Sequence, residues 1–200
     1  MIKHLKRQKW IFLDRFQLMR KVQKTDKPLK IIIGAGHTHF SDWVKTDYPV
    51  FNVLSKYDWH FIFQTKRIDN LLAEHVLEHF TVQQVEKTLS IAYKFLEPGG
   101  VFRIAVPDQF HPNKEYIEYV RPNGNGPGAD DHKSFWNYQT LSELGKKLGY
   151  TIEIVEYWDL NRNFSFKGLD PGRGHVNRSK GTGFKMEIED YSSLIIDLVK

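Results

Sequence analysis

An α/β fold built on a largely parallel sheet is expected from three features of the 200-residue chain. After Lys27-Pro28, short aliphatic runs alternate with amphipathic stretches, which is the rhythm of β-α-β units. The first run, Ile31-Ile32-Ile33, offers no polar side to water, as suits a strand covered on both faces. It breaks into Gly34-Ala35-Gly36, where bare backbone lets a ligand approach.

Strands are expected at Lys30 to Ile33, Trp43 to Thr46, Val50 to Leu54, Asn70 to Ala73 and Val101 to Val106. Thr81-Val82-Gln83-Gln84 has the pattern of a capping box, so a helix begins there. Val82, Val85, Leu89, Ala92 and Leu96 form its apolar stripe, and Pro98-Gly99-Gly100 stops it. Thr140 to Glu143 repeats the capping signal, with Leu141, Leu144 and Leu148 as the stripe and Gly149 as the stop. Thr151 to Trp158 and Ser193 to Val199 are strands with only a Gly- and Arg-rich segment between them. Lacking a crossover helix, they are expected to run antiparallel. Asn123 to Gly128 reads as a loop.

The net charge of +5 is concentrated at one end, since residues 1 to 30 hold ten Lys or Arg against Asp14 and Asp26. Residues 1–27 are therefore read as a basic, helical arm and residues 28–200 as the domain proper. In the arm Leu5, Phe12, Phe16, Met19 and Val22 recur near helical spacing. Such a helix packs on its own domain or contacts an anionic membrane surface or a nucleic-acid backbone. No stretch approaches the roughly 20 apolar residues of a membrane span, and Trp10 to Leu13 is too short for a signal-peptide core. There is no cysteine, which excludes disulfides and thiolate metal sites and suits a cytoplasmic location.

The ordered set Ile31 to Gly36, Asp42 to Asp47, Leu72 to His79, Leu96 to Gly100, Val106-Pro107-Asp108, Phe110-His111-Pro112, Gly126 to Lys133 and Ser193 to Asp197 resembles the class I S-adenosylmethionine-dependent methyltransferases. Within that class it is similar to small methyltransferase domains of undefined substrate. The resemblance implies a doubly wound, mostly parallel seven-stranded Rossmann-like sheet with an antiparallel C-terminal hairpin. It implies S-adenosylmethionine as cofactor, held by Gly34 and Gly36 at the loop, Asp47 on the ribose hydroxyls, and Glu74 and His75 beside the methionine end. The chain departs from the pattern at Thr38, where a third glycine is usual, and at Asn52, where an acid is usual. Asp47 also lies only 13 residues beyond Gly34, against about 20 in dinucleotide folds. Tyr57, Trp59 and Phe61 are equally suited to stacking on a base and to core packing.

Methyl transfer from a sulfonium is an in-line displacement that needs positioning, exclusion of water and removal of an acceptor proton, and requires no metal. Asp108, His111 and His132 are the catalytic candidates, histidine being suited to proton transfer near neutral pH. The acceptor is expected to be an O or N atom on a small or sugar-like molecule, with a nucleic-acid acceptor as the alternative suggested by the arm. His75-Val76-Leu77-Glu78-His79 is also an H-x-x-E-H string, which on a continuous helix would place two imidazoles on zinc for hydrolysis. The capping box at Thr81 argues against that continuous helix. Arg162, Arg173, His175 and Arg178 are read as a solvated loop or as contacts for an anionic substrate.

Overall fold

The computed structural model describes residues 2–200, with side chains from Arg7 onward. The helices are α1 Ile2–Lys24, α2 Lys56–Phe63, α3 Val82–Phe95, α4 Lys114–Val120 and α5 Tyr138–Lys147. The strands are β1 Lys30–Ile33, β2 Val44–Lys45, β3 Ile68–Glu74, β4 Leu96–Pro107, β5 Thr151–Trp158, β6 Phe164–Phe166 and β7 Ser193–Val199. They form one sheet in the order β2-β1-β3-β4-β7-β5-β6. Strands β2, β1, β3 and β4 are mutually parallel, and β7 is antiparallel to both its neighbours. Strand β5 therefore shares the direction of the first four, giving the mostly parallel sheet with an antiparallel C-terminal hairpin.

From β1 the chain steps out to β2, then returns across β1 to β3 and continues the other way to β4. This reversal is the doubly wound order, and it opens a crevice beyond the carboxyl ends of β1 and β3, where ligands of such sheets collect. Register assigns each residue to a face. Ile31, Leu71, Phe102 and Leu198 line up across four strands and pack against Val85, Leu89, Ala92 and Phe95 of α3, Trp59, Ile62 and Phe63 of α2, and Leu141 of α5. One residue along, Ile32, Leu72, Arg103 and Asp197 form the opposite row. Irregular chain covers that face through Trp43 and Val176.

The Arg103–Asp197 pair is an ion pair at 2.7 Å with both side chains fully buried. Arg103 also donates from Nη1 to the carbonyls of Asp170 and Gly174, so the pair fastens the long 159–192 connection to the sheet.

Most expected elements form. Thr81 caps α3, accepting from the Gln84 N–H while Gln84 reaches back to the Thr81 N–H. Helix α5 is capped three residues before Thr140, at Asn137, which accepts from the N–H groups of Gln139 and Thr140. Thr140 instead returns its hydroxyl to Asn137 as the partner in that box. Residues 50–54 are not a strand. Asn52 bonds the Leu54 N–H, Asp58 takes the Asn52 N–H, and the Trp59 indole donates to the Val53 carbonyl, so side chains occupy the groups a ladder needs. The seventh strand is β6, on the far edge.

The basic N-terminal stretch is helical, and its buried side matches the anticipated one only in part. Val22 enters the core as expected, with Leu18 beside it, whereas Phe12 and Phe16 stay exposed beside Trp10 and Leu13. The side chain of Leu5 lies outside the described residues. Arg15 reaches the carbonyls of Pro49 and Val50 and the Asp58 carboxylate, and Gln23 donates to the last carbonyls of α2, which ties the helix to the body. Among the described residues no helix is long and apolar enough to cross a membrane.

Candidate active site

The glycine turn sits at the carboxyl end of β1, with both glycines in left-handed backbone, φ +61° at Gly34 and +48° at Gly36. Their surroundings differ. A Cβ on Gly34 would lie 2.6 Å from Val76 Cγ2, so the missing side chain there makes room for protein. Above Gly36 nothing lies within 4 Å. Gly34→Ala combines that clash with an unfavourable φ, and a loss of about 2–3 kcal/mol or more in urea unfolding is expected. Adding Val76→Ala should restore part of it; full loss in the double variant would show that backbone strain alone is at work.

Asp47, two residues past β2, is exposed and faces the turn. Its Oδ2 accepts from the Gly36 N–H at 2.9 Å and its Oδ1 from the Tyr48 N–H at 2.8 Å. Each oxygen keeps a lone pair for a further donor. Beside it lies a hollow of about 200 Å³ lined by Leu18, Ala35, Gly36, Thr46, Asp47, Tyr48 and Val50. Whole-ligand pockets run from about 300 Å³ upward, so this space fits one end of a nucleoside-like molecule. Open backbone, an acceptor carboxylate and an apolar wall together suit the ribose end of S-adenosylmethionine.

One strand over, β3 ends in Glu74 and His75. Glu74 accepts from the Asn177 amide and the Arg178 N–H, both at 2.9 Å, and so anchors the 159–192 connection over the strand end. His75 has φ +52°, a left-handed position uncommon outside glycine. Its Nδ1 lies 3.0 Å from Glu78 Oε1 and its Nε2 3.1 Å from Ser193 Oγ. The chain then makes a 3-10 turn, Leu77–His79, before α3 begins. His75 and His79 thus never share a helix, and the zinc-peptidase geometry required of the H-x-x-E-H string is not formed.

A cavity of about 760 Å³ opens here. Its lining includes His75, Glu78, His79 and His132, the α4 residues Tyr116 and Tyr119, and Arg178, Phe184, Asp190 and Tyr191 from the 159–192 connection. Arg178 stacks over Tyr191 at 5.7 Å and donates to its hydroxyl. The 129–134 loop is held against the 3-10 turn because the N–H groups of Lys133 and Ser134 both donate to the Glu78 carbonyl. His132 thereby reaches His79, with ring centres 4.8 Å apart. Burial pushes the Glu78 carboxyl up, but its bond to His75 and the nearby imidazoles outweigh this and leave it below the ordinary value.

Of the three catalytic candidates only His132 lines the cavity. Asp108 is buried, and its two oxygens accept from the N–H groups of Phe110 and Trp158. Desolvation raises its pKa to about 6 against those bonds. His111 is buried against Tyr116, accepts from the Asn113 N–H and donates to the Ile188 carbonyl. Both residues hold loops together. Arg162 donates to the carbonyls of Phe110 and His111, and Arg173 pairs with Glu153 and Asp197, leaving Arg178 as the loop arginine at the cavity. In the sequence Glu78 and His79 stand out only within the zinc string; their place in the cavity wall depends on a loop distant in sequence.

No family model and no curated protein matches the chain. Among solved structures, a chain from the complex between the Trm112 methyltransferase activator of Haloferax volcanii and a methyltransferase superposes with TM-score 0.50 at 12% identity, covering 98% of this chain and 91% of that one. The small RNA methyltransferase HEN1 superposes with TM-score 0.50 at 11% identity over 94% of this chain, which spans a quarter (25%) of that longer protein. An S-adenosylmethionine-dependent methyltransferase from Archaeoglobus fulgidus gives TM-score 0.49 at 14% identity, with 95% and 94% covered. The chain spans about half of some others, such as an O-methyltransferase family protein from Burkholderia thailandensis, of which it covers 53%. With its strand order, its reversal at β1 and β3 and its glycine turn at that crevice, the chain has the fold of the class I S-adenosylmethionine-dependent methyltransferases.

Proposed function

We propose that this protein is an S-adenosylmethionine-dependent methyltransferase acting on an O or N atom of a small or sugar-like molecule. The observation that carries the reading is the 760 Å³ cavity beside the crevice of the methyltransferase fold, next to a turn that fits a ribose. Its size lies within the range of small-ligand sites, about 300–1,000 Å³. Tyr119, Phe184 and Met186 supply apolar wall, while Asn113, Glu115, Arg178 and Asp190 supply polar groups suited to a hydroxylated acceptor.

S-adenosylmethionine, when bound, supplies a methyl group on a sulfonium that is ready for displacement. The Gly36 backbone and the Asp47 carboxylate would hold its ribose end, and the connection anchored on Glu74 would shield the crevice from water. His79 and His132 bring imidazoles to the wall of the cavity that would hold the acceptor.

Titration calorimetry with S-adenosylhomocysteine is the test. Binding in the micromolar range is expected, and Asp47→Ala should weaken it about tenfold, the worth of a hydrogen bond to a charged group. Absence of heat with the wild type at high micromolar concentration would overturn the proposal.

A further inference from the structure

The wall of the large cavity holds a set of side chains that hydrogen bonding leaves incomplete. Glu78 is 2% exposed, and its Oε1 is engaged by His75 while Oε2 has no partner. Burying a carboxylate oxygen without a partner is costly, so an unspent acceptor here signals a missing positive group. His132 lies beside it. Its Nδ1 is 2.6 Å from the Val120 carbonyl, which can only accept; the proton is therefore on Nδ1 and the lone pair on Nε2. His79 completes the group: its Nδ1 is buried with no hydrogen-bond partner, the nearest carboxylate oxygen, Asp131 Oδ2, standing 3.4 Å away. Glu78, His79 and His132 each offer a ligand atom, and the three atoms lie within 4.8 Å of one another.

From this geometry we propose that Glu78, His79 and His132 bind a divalent transition-metal ion. Small rotations about the side-chain bonds would bring the three atoms to ligand distances of about 2.0–2.2 Å. Two imidazoles and one carboxylate favour ions such as Mn²⁺, Co²⁺ or Zn²⁺ over Mg²⁺ or Ca²⁺, which prefer all-oxygen shells. The outer shell is already in place. Val120 fixes the tautomer and orientation of His132, as carbonyls do behind metal-bound histidines, and His75 orients Glu78. The backbone bonds from Lys133 and Ser134 to the Glu78 carbonyl hold the two halves of the site together.

All three ligands line the cavity, so the remaining coordination positions face its interior. They are suited to an oxygen of the occupant, a hydroxyl or a carboxylate, and an ion there would act as a Lewis acid on it. Metal binding itself does not rest on methyl transfer, and the following test reads it without cofactor or acceptor.

The experiment uses untagged full-length protein stripped with chelator and titrated separately with Mn²⁺ and Zn²⁺, binding being read by electron paramagnetic resonance for Mn²⁺ and by competition with a chromophoric chelator for Zn²⁺. One equivalent should bind for at least one of the ions, and His132→Ala should weaken it at least tenfold with the circular dichroism spectrum unchanged. His79→Ala serves as the second variant should His132→Ala misfold. Absence of stoichiometric binding to the wild type, or equal binding by the wild type and a folded variant, would overturn the proposal. S-adenosylhomocysteine binding without metal binding would sink this inference alone.

Discussion

Asp197→Ala is expected to cost about 3–5 kcal/mol, because it leaves the Arg103 guanidinium charged and buried with only carbonyls for company. In a chain of this length that corresponds to a fall of roughly 10 °C or more in Tm. Arg173 touches Asp197 at 3.2 Å, but it is partly exposed and already paired with Glu153, so it recovers little. The double variant Arg103→Met/Asp197→Leu should regain most of the loss, since apolar residues of similar size remove the desolvation cost of both charges. Denaturant unfolding of the two variants checks this. A single-variant loss under about 1 kcal/mol would mean that the pair is weak, in the range of exposed pairs.

The second large effect is a dependence on pH. Burial raises the Asp108 carboxyl to about 6 and the Glu156 carboxyl to about 7, although hydrogen bonds to each partly oppose the shift. In the unfolded chain both titrate near 4. Between those limits the folded protein binds more protons than the unfolded one, so the stability these acids contribute is complete below about pH 4 and falls as pH rises. The fall ends above the folded values, and for each acid is on the order of 3 kcal/mol. Glu156→Gln isolates one of them. Ser179 and the Lys180 N–H donate to Oε2, which the amide oxygen of glutamine can replace, and the Ser193 N–H, which also bonds the carboxyl, adds an offset that does not vary with pH. Relative to wild type, this variant should gain about 2–3 kcal/mol between pH 5 and pH 8, as read from urea midpoints. A constant difference across that range would show that Glu156 is not held neutral by burial. Asp108→Asn is less clean, because the two donors to Asp108 use different oxygens.

The strands in the sheet centre were legible because their pattern follows from burial on both faces, and Ile31 to Ile33 has no other reading. Helix α3 was legible because its cap is local, Thr81 and Gln84 being within one turn of each other. Residues 50–54 misled for a related reason. Valine, phenylalanine and leucine suit a strand, but the deciding bonds come from Asn52, Asp58 and Trp59, whose side chains face back on the backbone. The same limit governs the site. Asp108 and His111 are residue types suited to proton transfer, yet their hydrogen bonds go to Trp158 and Ile188, far along the chain, and their side chains lie outside the cavity lining. His75-Val76-Leu77-Glu78-His79 suggested metal chemistry for a helix. Its glutamate and second histidine instead meet His132 through a loop docked on a carbonyl, a contact that no spacing within the string encodes.

Strand β7 follows β4 and β5 in the chain, yet it lies between them and pairs with β4 from Val101 to Pro107 and with β5 from Thr151 to Glu156. During synthesis, a nascent chain that has emerged only as far as Trp158 lacks the strand that pairs with the facing edges of β4 and β5, until residues 193–199 leave the ribosome. Such open edges readily recruit foreign strands. Exposure to chaperones and to aggregation is thus expected to be greatest in the interval while the 159–192 connection is being translated, and to fall once β7 pairs with both edges.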